Sequence, residues 1–316
     1  MVILDSDARA LFAADVTASL QRTPRELPSK YFYDERGSVL FEEITLLPEY
    51  YLTRAEREIL VMRAGEIIGR IAPRTLVELG AGSAVKTRIL LSAMQRVASD
   101  VTYVPVDVSE DFLIQTGDAL RAESPSLRVQ PVVADISDSF ELPPGAPQPV
   151  LFAFLGSTIG NFDWSGAVSL LRRIRSLMAP VDRFLLGTDL RKDRATIEAA
   201  YNDAAGVTAE FNRNILRVVN AELGADFVPE RFAHRAFYDD QHSRIEMHLD
   251  AIGSQTVHIP GMPEVELRDG ENIRTELSHK YDRDAVDALA AAARMRVAEW
   301  HTDEQGRFAL SVLEPA

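Results

Sequence analysis

Thr75-Leu-Val-Glu-Leu-Gly-Ala-Gly-Ser83, running on into Ala84-Val-Lys-Thr-Arg-Ile-Leu-Leu91, carries more structural information than any other part of the chain. A short apolar run ends in an acid and two closely spaced glycines, then passes into apolar positions with helical spacing. That pattern predicts a strand, a tight turn and a helix. Glycine permits backbone dihedrals that other residues resist and lets a ligand approach the main chain, while the first turn of the following helix offers unpaired N–H groups. A dinucleotide fingerprint needs a third glycine where Val85 stands, and a Gly-Lys-Ser/Thr phosphate loop is absent. The turn suits a nucleoside ligand without phosphates.

Outward from this turn, apolar runs alternate with helical patterns as in a parallel α/β sheet. Val101-Thr-Tyr-Val-Pro-Val-Asp-Val108, Val129-Gln-Pro-Val-Val-Ala-Asp-Ile136, Val150-Leu-Phe-Ala-Phe-Leu-Gly156 and Arg183-Phe-Leu-Leu-Gly-Thr-Asp189 read as its strands. Ligands of open α/β sheets bind at the carboxyl ends of strands. Glu78, Asp107 and Asp135 end successive strands there. Asp107 can accept bonds from both ribose hydroxyls, and Asp135 can reach an adenine amino group with Ile136 packed on the ring. Each acid could equally be a helix cap or turn residue. With the phosphate-binding motifs missing, the glycine turn fits S-adenosylmethionine, whose sulfonium is positive.

The rhythm breaks after Asp193. Residues 193–220 have helical spacing, Ser243-Arg-Ile-Glu-Met-His-Leu-Asp250 alternates like a strand, and Glu264-Val-Glu-Leu-Arg-Asp-Gly270 predicts a second strand running into a turn. Asp284–Arg294 predicts a helix, and Met295–Trp300 with Phe308–Leu313 a closing hairpin. The expected organisation is a cofactor domain over residues 55–192 and 281–316, and a smaller α+β substrate domain over 1–54 and 193–280.

Of the 316 residues, 46% are hydrophobic and 26% charged, enough for a sizeable core. Lys plus Arg number 34 against 48 Asp plus Glu, a formal charge of −14 that repels phosphate backbones, so no nucleic-acid partner is expected. The absence of cysteine removes disulfides, thiolate metal sites and thiol nucleophiles. The six histidines show no metal spacing, and no metal is expected. No apolar run approaches the ~20 residues that span a bilayer and no leader pattern opens the sequence, so a cytoplasmic protein without membrane contacts is the expectation. A monomer is the default expectation and is not read from the residues.

Long strings of the sequence resemble the histidine Nα-methyltransferases of ergothioneine biosynthesis: Tyr31-Phe-Tyr-Asp-Glu-Arg-Gly-Ser-Val-Leu-Phe-Glu-Glu-Ile44, Leu47-Pro-Glu-Tyr-Tyr-Leu-Thr-Arg54, Phe154-Leu-Gly-Ser-Thr-Ile-Gly-Asn-Phe162 and Tyr201-Asn-Asp-Ala-Ala-Gly-Val-Thr-Ala-Glu-Phe-Asn-Arg-Asn214, besides the glycine turn. The resemblance covers nearly the whole chain and implies a Rossmann-like class I methyltransferase sheet with a second, smaller α+β substrate-binding domain. It further implies S-adenosylmethionine as cofactor, held by Gly80, Lys86, Asp107, Asp135 and Ile136, and L-histidine as the small-molecule substrate. Asn161 and Tyr201 match positions that hold the substrate carboxylate, Gly156 a further substrate contact, and Tyr50, Glu276 and Ser278 those around the imidazole. Met247 matches a pocket-lining position, and Tyr33 a tyrosine beside the amine that would orient it with help from Asn161.

A carboxylate and a hydroxyl suit a ring with two nitrogens, whereas indole offers one donor. Read without the resemblance, Met247 is a core residue of an alternating strand, Tyr50 a buried aromatic, Glu276 and Ser278 solvated strand residues, and Lys86 a helix surface charge. Two other functions remain compatible with the sequence: a related methyltransferase acting on tryptophan, tyrosine or another α-amine, and a non-catalytic S-adenosylmethionine-binding module.

Overall fold

The computed structural model describes residues 6–81, 85–136 and 140–316; Gly82, Ser83 and Ala84 of the glycine turn lie outside the described residues. The described chain forms two compact units, one of residues through Tyr51 with Lys192–His279, the other of Leu52–Arg191 with Lys280–Ala316.

The larger unit holds a sheet in the order Met295–Thr302, Phe308–Pro315, Arg183–Asp189, Val150–Phe154, Thr75–Leu79, Thr102–Asp107, Arg128–Val129. Its strands pair in parallel except for Phe308–Pro315, which runs antiparallel to both neighbours. This is the Rossmann-like order of class I methyltransferases, with the terminal hairpin folded back beside Arg183–Asp189. Thr75–Leu79 and Val150–Phe154 are buried along their whole length, which explains why they read as continuous apolar runs rather than alternations. On one face Val77, Val104, Phe152 and Phe184 form a core with Leu171 and Ile174 of the helix Trp164–Leu177 and Leu289 of the helix Arg283–Ala292. The chain turns from one half of the sheet to the other at Thr75–Leu79, flanked by Thr102–Asp107 and Val150–Phe154, which makes its carboxyl end the switch point where such sheets bind ligands.

The third strand differs from the expected Val129–Ile136. It is split into Arg128–Val129 and Val132–Val133, both paired to Thr102–Asp107. Pro131 has no N–H to give the ladder; the bonds of Gln130 N to Tyr103 O (2.9 Å) and Ala134 N to Asp107 O (3.0 Å) continue the pairing around it.

In the smaller unit a four-stranded sheet runs Arg25–Glu26, Asn272–His279, Arg244–Ala251, Phe232–Asp239. The strand Phe232–Asp239 has no counterpart among the sequence expectations. Glu264–Gly270 contributes only Val265–Leu267, which pairs with Gln255–Val257 in a separate two-stranded ribbon. The helix expected across residues 193–220 is two helices, Arg194–Ala199 and Val207–Leu223. Asp203 breaks it: its carboxylate accepts from the N–H groups of Val207 and Thr208 (2.8 Å each) at the start of the second helix, behind a left-handed Gly206 (φ 77°).

Candidate active site

In the larger unit the proposed cofactor residues gather at the carboxyl ends of adjacent strands. Gly80 follows Thr75–Leu79 directly with φ 66°, and its N–H donates to Val106 O at 2.8 Å. A Cβ there would meet no atom within 4 Å, so the left-handed backbone, not crowding, calls for glycine, and the main chain faces open space. Asp107 ends the neighbouring strand. Burial raises its carboxyl above the ordinary range, opposed by backbone N–H groups of Ser109, Val108 and Ala81. Asp135 and Ile136 follow the split strand, both half-buried, with Ile136 packed against the core.

Lys86 is not a free surface charge. Its ammonium is paired with Glu56 Oε2, a carboxylate with no exposure, from the helix Leu52–Ile71. The same carboxylate accepts the N–H of Gly156 (2.8 and 3.0 Å to its two oxygens). Glu56 therefore joins Lys86 to the segment after Val150–Phe154. It also explains the glycine inside Arg183–Asp189, since a Cβ on Gly187 would collide with Glu56 Oε1. Gly156 (φ 77°) and Ser157 (φ 58°) are both left-handed, and Ser157 Oγ accepts the Asp189 N–H at 2.8 Å. Half-buried Asn161 closes the short helix Thr158–Asn161 beyond them. Sequence reading missed Glu56, because Arg54-Ala-Glu-Arg-Glu58 looks like a solvated helix face.

The smaller unit assembles most of the proposed amino-acid residues. Tyr201 and Ser278, both buried, share a hydrogen bond of 2.8 Å between their hydroxyls. Tyr50 stands edge-on to Tyr201 (6.4 Å between centroids) and to Phe41 (6.2 Å). Phe41 in turn meets Tyr33 (5.5 Å), which is 48% exposed. Met247 is fully buried and lies directly opposite Glu276 in the pairing of Arg244–Ala251 with Asn272–His279.

That pairing contains a bulge. Arg274 faces His248, Glu276 faces Met247, and Thr275 has no opposite residue. A bulge reverses which face later residues occupy. Regular alternation would put Glu276 and Ser278 on the face of Arg274, which pairs there with Glu26 and Glu246 while His248 shares a hydrogen bond with Glu246. The extra residue moves both to the face of Met247 and Ile245. Tyr201 meets Ser278 on that face.

The sequence matches the family described as histidine-specific, S-adenosylmethionine-dependent methyltransferase over residues 12–315. This chain belongs to that family. The histidine N-alpha-methyltransferase of Mycobacterium tuberculosis is 45% identical over 94% of this chain and 93% of its own length. That of Mycolicibacterium smegmatis is 44% identical over 98% and 96% respectively. Ergothioneine biosynthesis protein 1 of Neurospora crassa is 33% identical over 88% of this chain, which covers 32% of that longer protein. Among solved structures, the CcbJ methyltransferase of Streptomyces caelestis matches with a TM-score of 0.46 and 17% identity, over 83% of this chain and 95% of that one.

The cofactor of this methyltransferase family fits the residues present: an uncrowded left-handed glycine, a carboxylate at the end of the second strand for hydroxyl donors, and a lysine ammonium at the helix start. Glu78, grouped with the ligand-facing acids in the sequence, is instead a structural anchor. Its Oε2 accepts from Thr87 Oγ1 and Tyr103 OH, each at 2.6 Å, pinning the helix Thr87–Val97 to the sheet below the turn. Burial pushes its carboxyl up to about 7, against the lowering effect of the Thr87 and Tyr103 bonds and of Lys86. Because the folded value lies above the unfolded one, the proton stabilises the fold fully below the unfolded pKa, and that stability is lost as pH rises through 7. Glu78→Gln is expected to remove this slope, gaining on the order of 3 kcal/mol relative to the parent between pH 4.5 and pH 8. Urea unfolding of both proteins across that range measures it; parallel pH profiles would refute the role.

Proposed function

We propose that the chain transfers methyl groups from S-adenosylmethionine to the α-amine of L-histidine in three rounds, giving the trimethyl betaine that enters ergothioneine biosynthesis. The observation that carries this reading is the bulge at Thr275, which sets Glu276 and Ser278 on one face with Met247, with Ser278 in contact with Tyr201, a polar set suited to a compact ring with two nitrogens.

Gly80, Lys86, Asp107, Asp135 and Ile136 hold the cofactor in this reading: Gly80 through close main-chain approach, Asp107 through the ribose hydroxyls, Asp135 and Ile136 around the adenine. Bound there, S-adenosylmethionine supplies a methyl group already activated by a positive sulfur. The protein's own residues then bind and orient the substrate, and each transfer displaces one amine proton to solvent. Asn161, Tyr201 and the Gly156 segment fix the substrate carboxylate. Glu276 accepts a ring N–H, Ser278 serves the other nitrogen, and Tyr50 and Met247 shape the walls. An α-amine is largely protonated at neutral pH, so the site must favour its neutral form. The Tyr33 hydroxyl accepts an amine N–H and aims the lone pair, and Asn161 assists. Positioning of this kind supplies most of the rate when the electrophile is already activated. This reading assigns the enzyme to the cytoplasm.

Incubation with histidine and S-adenosylmethionine is expected to yield mono-, di- and trimethylhistidine by mass spectrometry, with tryptophan and tyrosine far poorer competitors. Absence of any methylated histidine would overturn the proposal.

A further inference from the structure

We infer that Asn212, Thr275 and His234 are positioning residues that set the specificity of the amino-acid site by locking the bulge and the Tyr201 backbone into one arrangement. The inference rests on the proposed roles of Glu276, Ser278 and Tyr201, and nothing in those roles requires it.

Asn212 lies in the helix Val207–Leu223 with no exposure, a placement that polar amides seldom take unless every hydrogen-bonding atom is used. Its Oδ1 accepts from Thr275 Oγ1 at 2.5 Å. Its Nδ2 donates to the backbone carbonyl of His248 (3.0 Å) and to Nδ1 of His234 (2.8 Å). The amide cannot be turned round, since its oxygen would then oppose the His248 carbonyl. This orientation makes His234 Nδ1 an acceptor, so the ring's hydrogen is on Nε2 and donates to the Tyr201 carbonyl at 2.9 Å. Burial lowers the His234 pKa and keeps the ring in this neutral form.

One side chain thus holds two features on which the proposed site depends. Through Thr275 it grips the single residue that the strand pairing leaves over, whose hydroxyl also lies 3.2 Å from the Met247 carbonyl. Through His234 it fixes the main chain of Tyr201, whose hydroxyl meets Ser278. Without the Thr275 bond the extra residue has no polar anchor and can migrate along the strand. If it migrates past Glu276 that residue returns to the face of Arg274, and if it migrates past Ser278 both do, away from Tyr201. None of the three residues needs to touch substrate for this effect.

The deciding variant is Thr275→Val, which keeps the β-branched shape and removes the hydroxyl, with Thr275→Ser as the conservative rescue. Histidine binding, measured calorimetrically with demethylated cofactor present, is expected to weaken about tenfold in Thr275→Val and to recover in Thr275→Ser, with cofactor affinity unchanged. His234→Phe should show the same loss and His234→Gln, which retains a donor and an acceptor, a partial recovery. The histidine-to-tryptophan preference should shrink in the two damaging variants, while kcat at saturating histidine falls less than 1/KM. Wild-type histidine affinity in folded Thr275→Val and His234→Phe overturns the inference. Should Thr275→Val not fold, the His234 pair carries the same test, because cofactor affinity reports an intact larger unit. Glu276→Ala, run alongside, separates the two failures: if it also binds histidine normally, the assignment of the site falls, and if it alone loses histidine, only the inference falls.

Discussion

Glu276→Ala is expected to lower kcat/KM for histidine about a hundredfold, almost wholly through KM, while the affinity for demethylated cofactor stays at the parent value. Glu276 is half-buried on the strand Asn272–His279 beside the buried Met247 and two residues from Ser278. In the proposed site its carboxylate is the acceptor for an imidazole N–H. A hydrogen bond to a charged group contributes about 1.5–3 kcal/mol net, and leaving its partner unpaired adds the desolvation of that partner, which together give the stated factor. Glu276→Gln retains an acceptor oxygen without the charge and should lose only about tenfold. Indole also carries an N–H donor, but in the proposed pocket Met247 keeps the bulkier ring from presenting it to Glu276 as imidazole does, so removing the carboxylate should narrow the histidine preference rather than depress all amino acids alike. Steady-state kinetics with both substrates read this directly. Equal losses for histidine and tryptophan would mean that Glu276 supports the fold and not ring recognition.

Much of this architecture was legible because the central strands of the larger sheet are buried on both faces and therefore stand out as unbroken apolar runs bounded by glycine or acid. The switch point and the glycine turn follow from that. Pro131 was a visible warning against a continuous third strand, and Asp203 with Gly206 against one long helix; both are local signals that helical or strand spacing on either side overrode. The bulge at Thr275 was not legible in kind. Arg274-Thr-Glu-Leu-Ser278 reads as ordinary alternation, and only the pairing partner in Arg244–Ala251 and the distant Asn212 determine where the extra residue falls. Glu56 escaped for a related reason, since a helical acid declares itself buried only when the elements around it are known.

The buried pair of Lys280 and Asp189 carries the largest expected effect on stability. The two side chains have no exposure and meet at 2.8 Å in the larger unit, Asp189 ending the strand Arg183–Asp189. Asp189→Ala leaves the Lys280 ammonium buried without this carboxylate, and removing one member of such a pair costs about 3–5 kcal/mol, or roughly 10 °C in melting temperature for a domain of this size. Replacing both with apolar residues of similar volume, Asp189→Leu with Lys280→Met, should recover most of the loss, because neither charge then remains to be desolvated. Calorimetric melting of the two single variants and the double completes the cycle; additive losses would show that the pair is not coupled. The main chain here is also part of the functional argument. Asp189 N–H donates to Ser157 Oγ, and the Asp189 carbonyl accepts from Tyr281 N–H (2.9 Å). Ser157 holds a left-handed conformation next to Gly156, a strain that surrounding bonds must enforce. Loosening Asp189 should therefore release the Gly156–Asn161 segment as well. The single variant, assayed below its melting temperature, is expected to raise KM for histidine more than the double does.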